Sequence, residues 1–332
     1  MTKKLPIEQF LQTDFSHIID VRSPREYKQS HIPNAINYPV LNDDEFEYIG
    51  TLYKQNSFKA KVLGASFVSA NISKHLLKLQ DKISPKKSIG IHCARGGMRS
   101  QALGIILYQI GYQVALLEGG YKAYRKEVAR YLQSPLPHHF ITLIGQTGSG
   151  KSEIIASFEN SLNLEGIAKH LGSSFGGICG TQPSVKSFQN ALFERLRELE
   201  NAPFVLVEGE SKRIGNLILP SVLYNAYQNA PKIFIQTPLE ERIKRITKQY
   251  GKISHAFFEN AMQKISPFMK KDFWQKAKDA FNCGDLESVA EILLVEYYDK
   301  VYKKESYAYT ISYHSLEQAH TEICTLAREY YK

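Results

Sequence analysis

The eight residues GQTGSGKS, from Gly145 to Ser152, constrain the fold of this chain more than any other segment. They satisfy the pattern GxxxxGK followed by Ser or Thr, and they stand between a run that predicts a strand (139–144) and a run that predicts a helix. In this context glycines let backbone N–H groups turn toward a polyphosphate, the lysine faces it, and the hydroxyl is a ligand for Mg²⁺. The predicted phosphate-binding residues are Gly145, Gly148, Gly150, Lys151 and Ser152.

Short apolar runs alternate with helical segments along the chain, which predicts an α/β protein built on parallel sheets. The prolines of Ser134-Pro135-Leu136-Pro137 interrupt the helical pattern before them and predict a domain boundary there. We therefore predict one domain over residues 1–133 and a P-loop domain over 138–332. The second domain has helical periodicity over 239–278 and 286–303, so we expect a helical C-terminal part with a basic segment at 239–278.

Charge and cysteine usage narrow the class of protein. Lys and Arg number 42 against 33 Asp and Glu, and the net charge of +9 favours polyanionic partners such as nucleic acid or phosphorylated metabolites. The cysteines are far apart without a CxxC pair, which argues against a disulfide scaffold or a zinc site and fits a reducing cytoplasm. No apolar stretch resembles a signal peptide or a membrane span, so we expect a cytoplasmic protein without a membrane partner.

Cys93 lies between a predicted strand (88–92) and a predicted helix, in the sequence CARGGMRS. The N–H groups of a helix N-terminus and the guanidinium of Arg99 favour a thiolate, and the two glycines let the backbone curl around the sulfur. Because the thiolate is the nucleophilic form of cysteine, we predict Cys93 as a nucleophile, with Arg95 and Arg99 as further catalytic residues. The candidates for proton transfer are His92, His170 and His255.

Two acids follow the second predicted strand of the P-loop domain. Glu208 and Glu210 stand where many P-loop NTPases have an aspartate. Either acid could orient Mg²⁺ or water, and either could equally be a solvated acid at a strand end. We predict no metal ion that is fixed by the protein alone.

Four ordered segments of the N-terminal domain resemble the signatures of a rhodanese domain. They are IDVRSPREY (19–27), HIPNAIN (31–37), the Cys93 loop and LEGGY (117–121). The resemblance implies that Cys93 carries sulfur or selenium as a persulfide or perselenide. Five residues separate Cys93 from Arg99, more than in the commoner rhodanese loop, which predicts a larger pocket. The same Cys-x5-Arg spacing is typical of Cys-dependent phosphatases, which remain an alternative.

The order of a rhodanese-like domain and a P-loop domain resembles the bacterial tRNA 2-selenouridine synthase family, as do the segments 172–176, 182–184 and 208–211. The resemblance implies a transferase that geranylates the wobble 2-thiouridine of tRNA with geranyl diphosphate. It then implies replacement of the S-geranyl group by selenium from selenophosphate, with Cys93 as the selenium carrier and loop 145–152 as the diphosphate site. Mg²⁺ is a further candidate cofactor, and a selenophosphate-supplying protein is a candidate partner. Val185 and Gln189 depart from the family pattern, which leaves the role of their helix open.

The basic segment 239–278 is the predicted tRNA contact, because basic side chains bind phosphates and aromatic rings stack on unpaired bases. The predicted contacts are Arg242, Arg245, Lys270, Lys271 and Trp274, and Lys252 belongs to the same set. The alternative is an amphipathic helical lid with its aromatic residues in a core and its lysines in solvent. A rhodanese-fused nucleotide-dependent kinase, with ATP at loop 145–152, is a further alternative function.

Overall fold

The computed structural model describes residues 2–251, 253–302 and 305–331. Lys252 and Lys303, which fall in predicted helical segments, lie outside the described residues. The chain divides into two compact units. Unit 1 is Met1–Tyr131 with Ser184–Glu194, and unit 2 is Leu132–Pro183 with Arg195–Lys332. Each unit contains a parallel sheet with helices around it, which confirms the predicted α/β class.

Unit 1 is built on a five-stranded sheet in the order β1-β5-β4-β2-β3, with every pair parallel. Its elements are β1 (Lys3–Leu5), α1 (Ile7–Gln12), β2 (His17–Asp20), α2 (Pro24–Gln29), β3 (Ile36–Asn37), α3 (Asp43–Gln55), α4 (Ser57–Gln80), β4 (Ser88–His92), α5 (Met98–Gln109), β5 (Gln113–Leu117) and α6 (Gly120–Tyr131). The central strands bury Ile19, Ile89 and Ile91 completely, as expected for strands covered on both faces. Parallel strands end at one edge, and Cys93 follows β4 at that edge.

Helices α3 and α4 were not predicted as separate elements. The Asn42 and Glu45 side chains form a capping box at the start of α3, and this satisfies N–H groups that a helix start leaves free. Asn56 ends α3 and caps α4 through its side chain, which accepts a hydrogen bond from the Lys59 N–H. A single asparagine between the helices therefore makes a short helical hairpin of 43–80.

Unit 2 has a second five-stranded parallel sheet in the order β12-β11-β6-β8-β7. The elements that follow α6 along the chain begin with β6 (Phe140–Ile144), α7 (Lys151–Ser157), β7 (Ser161–Leu162), α8 (Leu164–Ala168), α9 (Val185–Glu198), β8 (Val205–Glu208), β9 (Arg213–Ile214), β10 (Leu217–Ile218), α10 (Ser221–Gln228) and β11 (Lys232–Ile235). They continue with α11 (Leu239–Tyr250), α12 (His255–Ile265), α13 (Lys271–Asn282), α14 (Leu286–Leu293), α15 (Asp299–Val301), β12 (Tyr309–Ile311) and α16 (Leu316–Tyr330). Strands β9 and β10 form a separate antiparallel pair. Helices α11 to α14 form the predicted helical part.

The assignment of α9 differs from the predicted domain ranges. Its residues up to Glu194 belong to unit 1, whereas the prediction placed all of 138–332 in the P-loop domain. The Asn190 amide donates hydrogen bonds to the His31 carbonyl (2.7 Å) and to the Tyr121 hydroxyl (3.0 Å). The Phe193 ring meets the Tyr124 ring edge-on, with 5.8 Å between centroids. These contacts join residues far apart in sequence, so no local pattern could place the segment.

No helix in the described part of the chain is long and apolar enough to cross a membrane.

Candidate functional site

The Cys93 sulfur lies at the end of β4 and faces the first turn of α5. It accepts hydrogen bonds from the Gly97 N–H (3.2 Å) and from the Ser100 hydroxyl (3.3 Å). Gly96 has a φ of +66°, and a Cβ there would come within 2.8 Å of the Leu117 carbonyl oxygen. Only glycine fits this turn, which curls the backbone around the sulfur.

The pKa of the Cys93 thiol is set by opposing effects. Burial raises it, but hydrogen bonds from the Ser100 hydroxyl and from the N–H groups of Arg95 and Ser100, together with the Arg99 charge, outweigh burial. The net result is a pKa below the ordinary value for cysteine, so the thiolate is favoured. Such a sulfur can act as a nucleophile.

The two arginines of the loop differ in their surroundings. Arg99 is held by a salt bridge to Glu26, with 2.7 Å between Nη1 and Oε2, and its guanidinium stacks over the Phe46 ring at 4.9 Å. Arg95 is exposed. Arg99 is therefore fixed beside the sulfur, while Arg95 is available to a ligand that approaches from solvent.

The histidine before Cys93 is fully buried in β4, with Nε2 3.8 Å from an oxygen of Asp20. Burial lowers the pKa of His92, which favours its neutral form. Asp20 is also paired with Arg22 at 2.6 Å. His170 and His255 both lie in unit 2, so neither belongs to the unit that holds the Cys93 loop.

A basic cleft of about 310 Å³ opens beside the Cys93 loop within unit 1. Its lining includes the cationic side chains of Arg22, Arg95, Lys122, Arg125 and Lys186. Lys186 comes from α9, and the Arg125 guanidinium donates to the Lys186 carbonyl (3.3 Å) and to the Asn190 side chain. The side chains of Arg95, Lys122 and Lys186 are exposed, so the cleft presents positive charge to solvent.

The phosphate loop joins β6 to α7 as predicted. Gly148 and Gly150 have φ values of +80° and +90°, and a Cβ on Gly145 would lie 2.7 Å from the Ile235 carbonyl oxygen. The Lys151 ammonium folds back on its own loop and donates to the carbonyls of Gly145 (2.9 Å) and Gln146 (3.3 Å). A diphosphate in the loop would replace these carbonyls as the partner of the ammonium group.

Three carboxylates converge beside Ser152. Oxygens of Glu165, Glu208 and Glu210 lie within 4.8 Å of one another, and the Ser152 hydroxyl donates to Glu165 (3.0 Å) and Glu208 (3.2 Å). Oxygen donors of this kind suit Mg²⁺. The cluster offers three carboxylates at the phosphate loop, and the expectation that no metal is fixed by the protein alone stays a prediction.

The surroundings of this cluster destabilise the ionised forms of its three acids. Burial and repulsion by neighbouring carboxylates raise the pKa of Glu165 and Glu210, and burial raises the pKa of Glu208. A divalent cation would remove that repulsion and favour the ionised forms. The residues present therefore fit a Mg²⁺ ion held between the protein and a polyphosphate.

An apolar cavity of about 50 Å³ lies at the phosphate loop, within unit 2. Thr147 of the loop lines it together with side chains of α11 and α14, including Ile246, Tyr250 and Leu293. A ligand with its phosphates in the loop would have apolar surface beside its remaining part.

Comparison with known proteins agrees with both halves of this geometry. The model of the rhodanese-like domain matches residues 7–127, and that of the tRNA 2-selenouridine synthase AAA domain matches residues 138–272. A tRNA 2-selenouridine synthase of Proteus mirabilis is 32% identical, over 91% of this chain and 93% of that protein. The tRNA 2-selenouridine synthase of Shewanella piezotolerans is 31% identical, over 86% of this chain and 87% of that protein. That of a Sulfurovum species is 34% identical, over 72% of this chain and 67% of that protein. The chain belongs to the tRNA 2-selenouridine synthase family.

In this member of the tRNA 2-selenouridine synthase family, two predicted tRNA contacts instead hold the phosphate loop. Arg242 is 3% exposed, donates to the Thr147 carbonyl (2.8 Å) and pairs with Asp299 at 2.6 Å. The Arg245 guanidinium donates to the Ser149 carbonyl (3.1 Å). The buried, doubly paired Arg242 is not available to a tRNA phosphate, which corrects the sequence-based assignment.

The other predicted tRNA contacts of this tRNA 2-selenouridine synthase family member lie around the start of α13. Lys270 and Lys271 are exposed, as that assignment requires. Trp274 is half-buried in the apolar cluster of α12 to α14, and its indole N–H donates to the Met262 carbonyl (3.0 Å). Trp274 thus follows the amphipathic alternative, whereas the two lysines stay candidates for tRNA.

Three residues that help to form the candidate sites had no signal in the sequence. Glu165 lies in α8, a short helix capped by Asn163, and joins the carboxylate cluster only through folding. Glu26 fixes Arg99, which is far from it in sequence, and it also forms a capping box with Ser23 at the start of α2. Asn190 is an ordinary polar residue of a helix until its partners in unit 1 are known.

Proposed function

We propose that this protein makes 2-selenouridine in tRNA in two steps. The first is transfer of the geranyl group of geranyl diphosphate to the sulfur of the wobble 2-thiouridine. The second is replacement of the S-geranyl group by selenium from selenophosphate. The observation that carries the proposal is one chain with two reactive centres: a loop that favours the Cys93 thiolate and a phosphate loop flanked by three carboxylates.

The phosphate loop is the proposed diphosphate site of the first step. Lys151 and the N–H groups of 145–152 would bind the diphosphate and stabilise the charge that develops as it leaves. Glu165, Glu208 and Ser152 would hold Mg²⁺, which supplies further positive charge to the leaving group. The apolar lining beside Thr147 favours a hydrocarbon over a sugar next to the diphosphate, but at about 50 Å³ this cavity has room for only the first part of a prenyl chain.

The Cys93 loop is the proposed centre of the second step. The lowered pKa of Cys93 supports a thiolate that attacks the phosphorus of selenophosphate and releases hydroselenide. The hydroselenide displaces the S-geranyl group from C2 of the uridine, and this group leaves as geranylthiol. Water then releases the phosphate from Cys93. Ser100 holds the sulfur in place through its hydroxyl group, and Arg99 adds positive charge beside it. Arg95, exposed at the same loop, would bind the phosphate part of the selenium donor.

The basic cleft of unit 1 is the proposed contact for the tRNA backbone near the reacting base. Lys122 and Lys186 are exposed on opposite elements of the cleft, α6 and α9, and both are free to turn toward a phosphodiester. Lys270 and Lys271 would bind phosphates on the surface of unit 2. We further propose a cytoplasmic location and a selenophosphate-supplying partner protein.

The decisive test is incubation of the purified protein with tRNA that contains 2-thiouridine. We expect the geranylated nucleoside with geranyl diphosphate alone, and 2-selenouridine when selenophosphate is added. The control omits each co-substrate in turn. Turnover of ATP with no modified nucleoside would support the kinase alternative, and release of phosphate from a phosphate ester would support the phosphatase alternative.

A further inference from the structure

Unit 1 contains a large apolar groove beside the Cys93 loop, which we call the α3–α5 groove. Its volume is about 530 Å³, within the range of roughly 300–1,000 Å³ that is typical of small-molecule sites. Helix α3 contributes Phe46 and Tyr53, α4 contributes Ala65 and Val68, and the first turn of α5 contributes Met98.

The groove is exposed rather than filled by the protein. Tyr53 is 53% exposed and Met98 is 68% exposed, although both line one concave surface. Contiguous apolar surface of this kind marks a binding site more often than isolated exposed residues do. The helical hairpin of 43–80 thus leaves an apolar face open to a ligand.

The groove extends to the reactive loop. Met98 follows Gly97, whose N–H donates to the Cys93 sulfur at 3.2 Å. Arg99 also lines the groove, and its guanidinium stacks over the Phe46 ring while its charge lowers the pKa of Cys93. A molecule that lies in the groove therefore contacts the first turn of α5, the helix whose N-terminus faces the nucleophile.

The charged participants do not explain such a lining. Selenophosphate and the tRNA backbone are anions, and apolar side chains offer them no hydrogen bonds. The lining includes two cationic residues, Arg99 and Lys61, and the exposed Lys61 is available to the backbone of a nucleic acid. A hydrocarbon chain attached to a polyanion would match both parts of this lining.

We propose that the α3–α5 groove binds the isoprenoid chain attached to the sulfur of the uridine while selenium replaces that sulfur. This inference rests on the proposed function, in which the substrate of the second step is a tRNA with a ten-carbon chain on its wobble base. The chain lies in the groove, the base lies at the Cys93 loop, and the RNA backbone lies on the surrounding cations.

The test uses the full-length protein and a synthetic anticodon stem-loop whose wobble 2-thiouridine carries a geranyl group, a five-carbon dimethylallyl group or no group. Affinities are measured without selenophosphate. A buried methylene is worth about fourfold in affinity, so wild-type protein should bind the geranylated RNA at least ~10-fold more tightly than the unmodified RNA. The dimethylallyl RNA should be intermediate.

Ala65→Trp fills the groove, so the RNA affinity of this variant should no longer increase with the length of the hydrocarbon chain on the uridine. Its affinity for unmodified RNA should stay the same. Ala70→Trp is the matched control, since Ala70 is exposed on the same helix but does not line the groove. Tyr53→Ser makes the lining polar without added bulk and should weaken the dependence as well. Circular dichroism establishes that each variant is folded.

Equal dependence on chain length in wild type and in both groove variants would overturn the proposal. A change of oligomeric state in Ala65→Trp, with chain-length dependence retained, would instead assign the groove to a second copy of this chain. Failure of the proposed function itself is detected by a different experiment. A wild-type protein that modifies no tRNA would give a negative result in the nucleoside assay, whatever its RNA affinities.

Discussion

At the scale of single residues, the surroundings of a side chain decide its chemistry. Cys93 and Cys283 have the same functional group, but Cys93 accepts two hydrogen bonds beside Arg99 whereas Cys283 is exposed at the end of α13. Hydrogen bonds to the charged form lower a pKa, and they do so here against the effect of burial. The nucleophile is therefore made by its loop.

We predict that Cys93→Ser abolishes formation of 2-selenouridine and leaves geranylation intact, because a hydroxyl group is a much weaker nucleophile than a thiolate and the proposed diphosphate site lies in unit 2. Nucleoside analysis of tRNA after incubation with each co-substrate measures both steps. Cys283→Ser is the matched control and should retain both activities. Equal loss of both steps in a folded Cys93→Ser protein would contradict the assignment.

Lys151→Ala should slow geranyl transfer by about 100- to 1,000-fold, since it removes a fixed positive charge from the leaving diphosphate. Selenation of tRNA that was geranylated beforehand should survive better. Rates of the two steps under single-turnover conditions provide the comparison, with the exposed Lys248→Ala as control. Normal geranylation together with lost ATP turnover would show that the loop binds a nucleotide instead.

At the scale of elements, the phosphate loop is positioned by helices that follow it in sequence. Arg242 of α11 links the Thr147 carbonyl to Asp299 at the start of α15. Both ends of this link are hydrogen-bonded, and the arginine is almost completely buried. The loop conformation therefore depends on the helical part of unit 2.

Asp299→Ala should lower the stability of unit 2 by about 3 kcal/mol, because it leaves a buried guanidinium without its carboxylate. Chemical denaturation followed by tryptophan fluorescence is suitable, since Trp274 lies in this helical part. Glu241→Ala removes an exposed salt bridge to Lys244 of the same helix and should change nothing measurable. Similar effects of the two substitutions would contradict the bracing role of Arg242.

The carboxylate cluster formed by α8 and β8 predicts a pH effect. An acid whose pKa is raised by folding keeps its proton in the folded state, so stability is highest below its unfolded pKa of about 4.5 and falls as pH rises through the folded pKa. Glu165→Gln should reduce this loss between acidic and alkaline pH. This loss of stability is measured as the change in melting temperature across pH, with and without Mg²⁺.

Mg²⁺ should raise the melting temperature of wild-type protein at alkaline pH, where the carboxylates are ionised, and should have less effect on Glu165→Gln. The exposed Glu153→Gln, on the neighbouring helix α7, is the control. A wild-type response to Mg²⁺ that is unchanged in Glu165→Gln would place the ion elsewhere.

At the scale of the whole molecule, the cationic side chains behind the net charge of +9 have different surroundings. Several cations of the basic segment are occupied within the protein, such as Arg242 by Asp299 and Lys278 by Glu259. The basic cleft of unit 1 instead exposes three cations around one opening. Positive charge in the composition thus indicates a polyanionic partner without showing which charges bind it.

Joint replacement of Arg95, Lys122 and Lys186 by glutamine should weaken tRNA binding and flatten its salt dependence. Each phosphate contact contributes about −0.7 to −0.9 to the slope of log K against log salt, so the slope should change by up to about 2–3 units. Titrations at several salt concentrations measure the slope. Lys126→Gln, an exposed lysine of α6 outside the cleft, is the matched control for Lys122→Gln. An unchanged slope in the triple variant would exclude the cleft as the tRNA contact.

The sequence by itself determined the α/β class, the phosphate loop at 145–152 and the Cys93 loop. Each depends on residues that are neighbours in the chain, where glycine spacing and strand-to-helix order are physical requirements of the motif. The residues of each motif can therefore be recognised in the chain, whereas their conformation also depends on packing, as the contact of Arg242 with the Thr147 carbonyl shows.

Tertiary structure alone brought Glu165 to Glu208, paired Arg242 with Asp299, and placed Asn190 in unit 1. It also opened the α3–α5 groove. A basic or apolar residue on an amphipathic helix shows the same periodicity whether it contacts solvent, a ligand or a distant side chain. Partners of this kind are chosen by packing between elements, because the free energy that selects them comes from burial and from pairing of charges that only the folded chain brings together.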